Sequence, residues 1–375
     1  MKRLFFIILM LLPVAVSADE KSKLSFAYDV DFEMLFDNRE IRRTYFTPSM
    51  TIFGARLTPQ VGLSIGEQNG ARHRVMAGID VMKDFGSGKD LDLFRELTLY
   101  YNFSKKVSKT EMEIYAGIFP RSTMEGSWSQ AFFSDSLRFY DNNLEGLLLK
   151  FRRPKAYFEV GCDWMGQYGQ DRREKFMVFT SGEGRILPFM SLGYAGYMLH
   201  YANSVKAKGL VDNILINPYV RFDLSENVGM QILSFRLGYL QAMQRDRKYV
   251  GAFVCPYGGE FDQEVRNWNV GIRNRMFYGF DMMPYYNMTD NVGQKYGTDL
   301  YFGDPFYRVR DDGSADSGFY DRLEFYYEPT IGNYLKIRVS AFFHFNGSRY
   351  SGCQQMVSLL FNLNSLTSSF AKRSE

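Results

Sequence analysis

Hydrophobic and polar residues alternate with a period of two along most of this chain. The first clear case covers residues 24–36, where one face is aromatic and aliphatic and the other carries Asp29, Asp31 and Glu33. Such alternation predicts a β-strand with one apolar and one polar face. Its length also suits a tilted strand that crosses a bilayer, which takes about 9–11 residues.

The same alternation recurs to the end of the chain and predicts an all-β protein. Fifteen strands are clear. An even number of strands returns both termini to one side of the membrane, so we expect a sixteenth, which residues 281–288 can supply. Fourteen strands is the alternative. No convincing apolar stripe of helical period is present, and residues 128–139 are the best candidate for a short helix. The fifteen clear strands cover residues 24–36, 48–66, 71–84, 91–104, 109–119, 142–153, 155–165, 174–184, 187–202, 213–225, 228–241, 262–276, 319–329, 334–346 and 352–363.

The connections between these strands alternate between short turns and long loops. Short polar turns, such as residues 67–70 and 152–155, are separated by longer segments, such as residues 120–141 and 288–318. Transmembrane barrels have this arrangement, with short periplasmic turns and long extracellular loops. The pattern therefore predicts an antiparallel, up-and-down transmembrane β-barrel, in which we expect the loop of residues 120–141 to fold inward.

The first eighteen residues have the features of a secretory signal peptide. Lys2 and Arg3 precede an apolar run that ends in the small residues Ser17 and Ala18. The run is too short for a transmembrane helix, which needs about 20 apolar residues. We therefore predict a signal peptide over residues 1–18 with cleavage near Ala18, a barrel over residues 19–363 and a C-terminal tail over residues 364–375.

Composition supports the barrel and excludes several other classes. Aromatic residues make up 17% of the chain, as expected for the aromatic girdles of a membrane barrel. Loss of Lys2 and Arg3 leaves a nearly neutral chain, so no nucleic-acid partner is predicted. Cys162, Cys255 and Cys353 lie far apart without metal-binding spacing. We predict neither a metal site nor a cofactor.

At this level the chain resembles bacterial outer-membrane β-barrels of the porin-like type. The resemblance rests on the signal sequence, the alternating strands and a last strand that places Phe361 on the apolar face. It implies a location in the outer membrane of a Gram-negative bacterium, contact with outer-membrane lipid and insertion by the barrel-assembly machinery; an oligomer is possible. The tail from Asn364 to Glu375 departs from the porin pattern, and no motif identifies a particular family.

The polar face of the predicted strands collects charged residues that would line a lumen. Acidic residues of the early strands and basic residues of the late strands would oppose each other across a water-filled pore and tune its selectivity. We therefore predict a channel for passive diffusion of small hydrophilic solutes. The predicted lumen-lining residues are Asp29, Asp31, Glu33, Arg56, Arg74, Asp80, Arg273, Arg275, Arg322, Glu324, Lys336, Arg338 and His344.

Two other functions remain open from the sequence. In the first, the lumen is blocked and an aromatic loop containing Tyr301, Phe302 and Phe306 contacts a ligand at the cell surface. In the second, the barrel is an enzyme. The chain has three histidines and neither a GxSxG nor an HExxH motif, so the sequence predicts no catalytic residues and no enzymatic activity.

Overall fold

The computed structural model describes residues 23–42, 49–88, 93–248, 250–309 and 316–364. The predicted signal peptide lies outside these residues, as does the predicted tail beyond Asn364. None of the helices in the described part of the chain is long and apolar enough to cross a membrane.

In the described part of the chain, sixteen antiparallel strands form one closed barrel. The count predicted from the sequence is confirmed, and the alternative of fourteen strands is wrong. The strands are β1 (Lys23–Ile41), β2 (Met50–Gly66), β3 (Ala71–Asp84), β4 (Phe94–Val107), β5 (Thr110–Pro120), β6 (Asn143–Arg153), β7 (Ala156–Gly166), β8 (Lys175–Leu187), β9 (Met190–Tyr201), β10 (Val211–Asp223), β11 (Ile232–Asp246), β12 (Tyr257–Asn267), β13 (Val270–Gly279), β14 (Gly318–Tyr327), β15 (Leu335–Asn346) and β16 (Arg349–Asn362).

Each strand pairs with its neighbours in sequence, and the first strand closes the barrel against the last. On β1, Asp31 pairs with Thr58 of β2 on one side and with Asn362 of β16 on the other. A two-residue segment, Thr330–Ile331, adds a short pairing to the start of β15. Closure pairs residues 31–39 of β1 on both sides, which satisfies the backbone hydrogen bonds of this part of the strand, as a bilayer requires.

The sixteenth strand is not where the sequence predicted it. Residues 281–288 lie in a loop, and the predicted strand over residues 262–276 is instead the hairpin of β12 and β13. Trp268 and Asn269 form its two-residue turn with φ of 49° and 65°. Two residues of positive φ make the tight turns that suit hairpins, but the usual glycine is missing here, so the turn was overlooked.

The alternation of side chains follows the predicted orientation. Phe26 and Val30 point outward from β1, and Phe26 is 67% exposed. Asp31 and Glu33 point into the lumen, as does His344 of β15, which is 1% exposed. Outward residues of a membrane barrel contact lipid. A charged substitution is therefore expected to destabilise the barrel at an outward position and to be tolerated at the neighbouring inward position.

This orientation predicts unequal effects of arginine at two neighbouring positions of β1. Val30→Arg places a charge in the hydrocarbon and is expected to destabilise the barrel by about 2–4 kcal/mol. Asp31→Arg, the matched control, keeps a charged side chain in the lumen and is expected to assemble normally. The measurement is the fraction of heat-modifiable protein in outer-membrane fractions. Equal assembly of the two variants would contradict the orientation.

Few helices interrupt the barrel, and they are short. Among the described residues the α-helices are α1 (Asp135–Tyr140), α2 (Ser225–Val228) and α3 (Gly297–Leu300), with 3₁₀ turns at Arg121–Thr123 and Pro305–Arg308. The hydroxyl of Ser134 accepts a hydrogen bond of 3.1 Å from the N–H of Leu137 and caps α1. Only the last part of the helix predicted over residues 128–139 is helical.

Candidate functional site

Two long extracellular loops fold into the barrel and pack against each other. The first, residues 121–142, leaves the wall at the ends of β5 and β6, and the second lies between β13 and β14, where the structure describes residues 280–309 and 316–317. Together with the inner wall they bury one apolar cluster, here called the plug, in which the loops contribute Trp128, Phe132, Phe133, Met282, Met283, Tyr285, Tyr296, Leu300, Tyr301, Phe302, Phe306, Tyr307 and Val309. The predicted inward folding of residues 120–141 is thus observed.

Much of the inner wall that contacts the plug is apolar. Phe179 of β8, Tyr197 and Leu199 of β9, Leu215 of β10 and Leu240 of β11 all point inward and are buried. A signal for this was present in the sequence, because residues 176–179 of β8 and 192–199 of β9 are apolar on both faces. A strand that is apolar on both faces is buried on both, which here means lipid outside and plug inside.

The structure corrects the prediction of an exposed aromatic ligand site. Tyr301, Phe302 and Phe306 are 4%, 5% and 5% exposed, respectively, and belong to the plug. The Tyr301 hydroxyl donates a hydrogen bond of 2.5 Å to Gln244 Oε1, and the Phe306 ring stacks 4.5 Å from His344. Large rings are buried here because an apolar inner wall is available to them, a condition that the loop sequence alone does not reveal.

A buried ion pair fastens the second loop to the barrel. Arg173 Nη2 donates a hydrogen bond of 2.7 Å to Asp290 Oδ2, and both side chains are buried. The guanidinium also donates to the carbonyl of Ala202 at 2.8 Å and lies 4.7 Å from the centre of the Tyr201 ring. Burial raises the pKa of Asp290, but the attraction and hydrogen bond of Arg173, together with the hydrogen bonds from the N–H groups of Val292 and Gln294, outweigh burial and hold this pKa below its usual value.

A second acidic residue of the same loop has the opposite pKa shift. Burial raises the pKa of Asp281 to about 6, although its carboxylate accepts a hydrogen bond of 2.7 Å from the N–H of Met283. The unfolded value is about 3.9, so the folded protein binds more protons between pH 4 and 6. Stability conferred by this residue therefore falls as the pH rises through that window.

Asp281→Asn is expected to stabilise the protein at neutral pH. Asparagine keeps the acceptor for Met283 and removes the buried charge, so we expect a gain of about 1–3 kcal/mol at pH 7.5 and none at pH 4. Apparent unfolding temperatures in detergent at the two pH values measure the effect. Asp171→Asn, at an exposed position, is the control. A gain of the same size at both pH values would refute the role of the buried charge.

All thirteen predicted lumen residues lie on the inward-facing parity of their strands, but most are paired locally. Arg338 contacts Glu324 and Glu328, each at 2.8 Å, and Lys336 lies 3.6 Å from Glu328. Ion pairs also join Arg56 with Asp80, Arg273 and Arg275 with Asp262, and Arg322 with Asp135. Hydrogen bonds join Arg74 with Asn102, Asp29 and Asp31 with Asn362, and His344 with Tyr320 and Gln354.

Local pairing changes the electrostatic picture drawn from the sequence. The late strands do not present a bare basic wall, because acidic residues of β14 and its following turn neutralise Lys336 and Arg338. Opposite charges on neighbouring inward positions of adjacent strands are close enough to pair. Glu33 differs, since it has neither a hydrogen bond nor an ion pair with another described residue.

The three histidines are dispersed around the barrel. His73 faces outward at the periplasmic side, 3.0 Å from Glu67 Oε1 and 2.7 Å from the Tyr101 hydroxyl. His200 faces outward at the extracellular side and stacks on Phe176. His344 faces the lumen. Among the described residues, therefore, no histidine contacts a serine, threonine or cysteine that it could activate as a nucleophile.

A polar network faces outward at the extracellular end of the seam between β16, β1 and β2, and we call it the rim network. Asn38 Nδ2 donates to Gln355 Oε1 at 2.6 Å and to Glu40 Oε1 at 3.3 Å, and Thr51 Oγ1 donates to Asn38 Oδ1 at 2.8 Å. Gln355 Nε2 donates to Cys353 Sγ at 3.3 Å, and Cys353 Sγ lies 3.9 Å from Glu40 Oε2. A thiol, a carboxylate, a hydroxyl and two amides thus meet on the outer surface.

The depth of the rim network follows from the residues below it on β1. Outward side chains from Phe26 to Phe36 are all apolar. At about 3.3 Å per residue and a tilt of about 45° they span about 23 Å of the bilayer, close to the roughly 25 Å apolar band of outer-membrane barrels. Asn38 and Glu40 therefore lie at the outer boundary of the hydrocarbon. This is the depth at which lipid acyl chains join their head groups.

The rim network includes one of the three cysteines of the chain. Within the described ranges no three ligand-type side chains are placed to hold a metal ion. All three cysteines are free thiols, and Cys353 is half-buried. Sequence inspection missed the network because its five members come from three strands that meet only when the barrel closes. A visible signal was the switch from apolar to polar residues at Asn38 and Glu40 on the lipid-facing parity.

Comparison with known proteins identifies similarity at two levels. Residues 16–241, more than half of the chain, match the family model described as Lipid A 3'-O-deacylase-type. Among solved structures, a loop-deletion mutant of the outer-membrane protein OmpT of Vibrio cholerae is similar with a TM-score of 0.53 at 9% identity, covering 92% of this chain and 100% of that one. No curated protein sequence matched.

Other structural similarities are weaker. A triple mutant of the Rhodopseudomonas blastica porin gives a TM-score of 0.45 at 9% identity, covering 90% of this chain and 100% of that one. OpdL of Pseudomonas aeruginosa gives a TM-score of 0.46 at 10% identity, covering 90% of this chain and 99% of that one. The V. cholerae protein supports the fold of an outer-membrane barrel and, through it, the outer membrane as the location. At such low identity it says nothing about activity.

The family match corrects one prediction from the sequence. Absence of enzymatic activity was predicted from the lack of GxSxG and HExxH motifs, and this prediction is wrong, because the matching family is named for a deacylase. The two motifs belong to particular folds and do not cover all acyl-ester hydrolysis. In a barrel, catalytic groups can come from separate strands and leave no local motif.

Proposed function

We propose that this chain, which belongs to the lipid A 3'-O-deacylase-type family, hydrolyses an acyl ester of lipid A at the rim network. The observation that carries the proposal is the position of Glu40 and Cys353, in contact with each other at the outer boundary of the hydrocarbon. Lipid A occupies the outer leaflet, and its acyl esters lie at this depth. Asn38, Glu40 and Thr51 also fall within the matched segment.

The arrangement supports nucleophilic catalysis by a thiol. Glu40 accepts the proton of Cys353, and the thiolate attacks the ester carbonyl carbon. The carbon–oxygen bond to the sugar breaks, the sugar oxygen takes the proton, and the acyl chain is held as a thioester. Glu40 then takes a proton from water, which attacks the thioester, and the fatty acid leaves as Cys353 regains its proton.

The remaining members of the network supply positioning and charge stabilisation. The amide of Gln355 contacts the thiol and can donate to the oxyanion that forms on the carbonyl oxygen, and the amide of Asn38 contacts both Gln355 and Glu40. Thr51 donates to Asn38 Oδ1 at 2.8 Å and fixes the orientation of that amide. Glu67, with His73 and Tyr101, also forms an outward polar cluster, but it lies at the periplasmic side, away from lipid A.

The experiment is mass spectrometry of lipid A from cells that express the protein in a host with fully acylated lipid A. We expect a species that has lost one acyl chain, together with the free fatty acid. Glu67→Gln, which alters the periplasmic cluster, is expected to retain this activity. Unchanged lipid A in cells whose outer membrane contains the heat-modifiable protein would contradict the proposal.

Passive diffusion of small hydrophilic solutes is the second candidate function. Two cavities of about 540 and 620 Å³ flank the first loop, and charged side chains line both of them. The plug fills the lumen on the extracellular side of these cavities, so solute passage requires the two loops to move. Single-channel conductance in a planar bilayer tests this function, and a steady open conductance of the purified protein would support it.

Ion selectivity gives a sharper test of the same channel. If ions pass along the seam, replacing Lys336 and Arg338 by Gln is expected to shift the reversal potential toward cation preference. Replacing Asp31 and Glu33 by their amides is expected to shift it the other way. Both shifts should weaken at 1 M salt, where the Debye length is about 3 Å. Unchanged selectivity in both variants would show that ions do not pass these residues.

A further inference from the structure

The cavity of about 540 Å³ lies inside the barrel, between the first loop and the inner wall of β1, β2 and β16. We call it the seam cavity. Asn362, the last residue of β16, forms its periplasmic edge, and Arg138 of α1 lies on the loop side. Its volume falls within the range of about 300–1,000 Å³ that is usual for small-molecule sites. The rim network lies on the outer surface of the barrel, so the two sites are separate.

One cation in this cavity, Arg138, attracts Asp135 at longer range but has no ion pair within 4.0 Å among the described residues. Arg56 is paired with Asp80, and Arg121 contacts both Asp141 and Asp163. Arg138 is exposed inside the lumen, and its guanidinium makes neither an ion pair nor a hydrogen bond with another described residue. A guanidinium presents a planar fork of donors that matches a carboxylate or a phosphate, so Arg138 is suited to an anionic group.

The other walls of the cavity require a ligand with hydroxyl groups and an apolar side. Asp31 and Glu33 offer carboxylate oxygens, which accept hydrogen bonds from hydroxyl groups and repel a second acidic group on the same ligand. Met124, Trp128 and Leu360 offer apolar surface, and Leu360 is exposed within the lumen. A sugar ring combines C–H faces with hydroxyl donors, whereas a simple inorganic anion satisfies only the arginine.

We propose that the seam cavity binds an anionic saccharide, with its acid group on Arg138, its hydroxyls on Asp31 and Glu33, and its ring against Trp128 and Leu360. A uronic acid and a sugar phosphate share this chemistry, and the experiment separates them. The site takes a soluble ligand from the lumen and is independent of the deacylation of lipid A. Loss of one activity therefore leaves the other measurable.

Tryptophan fluorescence gives a direct test, because Trp128 is a wall of the cavity and the other two tryptophans lie outside the lumen. Trp164 faces lipid, and Trp268 lies in the periplasmic turn. In the purified full chain carrying Trp164→Phe and Trp268→Phe, glucuronate or glucose 6-phosphate is expected to change Trp128 emission saturably. Neutral glucose is expected to bind at least tenfold more weakly than whichever of these two anions binds more tightly.

Substitutions decide which groups recognise the ligand. Arg138→Gln is expected to weaken binding at least tenfold, while Arg153→Gln, at an exposed periplasmic turn, is expected to leave it unchanged. Glu33→Gln keeps a hydrogen-bonding group, removes a negative charge and is expected to bind the anion equally or more tightly. Heat-modifiability verifies that each variant is folded.

Three results would overturn the proposal. The first is no saturable change in emission with either anion. The second is binding of glucose as tight as that of both anions, or binding that survives Arg138→Gln unchanged. The third is weaker binding in Glu33→Gln, which would assign a cationic group to the ligand instead of hydroxyls.

Discussion

Glu40→Gln is expected to lower the rate of lipid A deacylation by about 10²–10⁴-fold, the usual contribution of a positioned general base. Glutamine has nearly the same shape and can still accept the hydrogen bond from Asn38, which in the wild type measures 3.3 Å. It cannot take a proton from Cys353. The loss is therefore expected in the rate, while the barrel assembles as before.

Measurement of this effect uses purified protein in mixed micelles with lipid A, and the readout is released fatty acid. Cys353→Ala is expected to remove activity to a similar extent, and the double variant with Glu40→Gln is expected to be no worse than either single one, because the two residues act as a unit. Cys162→Ala, another outward-facing thiol, is the matched control. Full activity of Glu40→Gln would exclude the rim network as the catalytic site.

Arg173→Met is expected to destabilise the protein by about 3–5 kcal/mol, because it leaves the buried carboxylate of Asp290 without its partner. Methionine replaces the aliphatic part of the side chain, whereas the hydrogen bond to Ala202 and the contact of the guanidinium with the Tyr201 ring are lost as well. The neighbouring Arg172 is exposed, and Arg172→Met is the matched control, which is expected to change stability little.

Acid is expected to weaken the same contact in the wild type. Since the pKa of Asp290 lies below its usual value, the stability that this residue confers is complete above pH about 4 and is lost as the pH falls through its folded pKa. Apparent unfolding temperatures and protease cleavage within residues 280–317 measure both effects. A variant Arg173→Met as stable and as protease-resistant as Arg172→Met would show that the ion pair does not hold the plug.

The location and the fold were largely accessible from residue patterns. Alternation along each strand, from Phe26 to Phe361, specifies which side chains meet lipid, because successive side chains of a strand point to opposite faces. The loop asymmetry gave the orientation of the barrel, and the strand count was right. One hairpin was misplaced because Trp268 and Asn269 adopt positive φ without a glycine to reveal the turn.

The candidate sites were not accessible in the same way. Cys353 and Glu40 are separated by more than 300 residues, and they meet because closure of the barrel pairs β16 with β1. The aromatic residues around Tyr301 looked like an exposed loop, and their burial depended on the apolar inner wall of β8–β11. The two charged walls expected of the lumen were largely neutralised by pairing between neighbouring strands.

The sequence by itself determined the local alternation, nearly all of the membrane-crossing strands and the inward or outward direction of their side chains, because these depend only on the geometry of a strand and on the solvent at each face. Tertiary structure decided which strands adjoin across the seam, how the two loops fold into the lumen and which charged side chains, such as Arg138, lack an ion pair with another described residue. Those features depend on distances between residues far apart in the chain, and only closure of the barrel sets such distances.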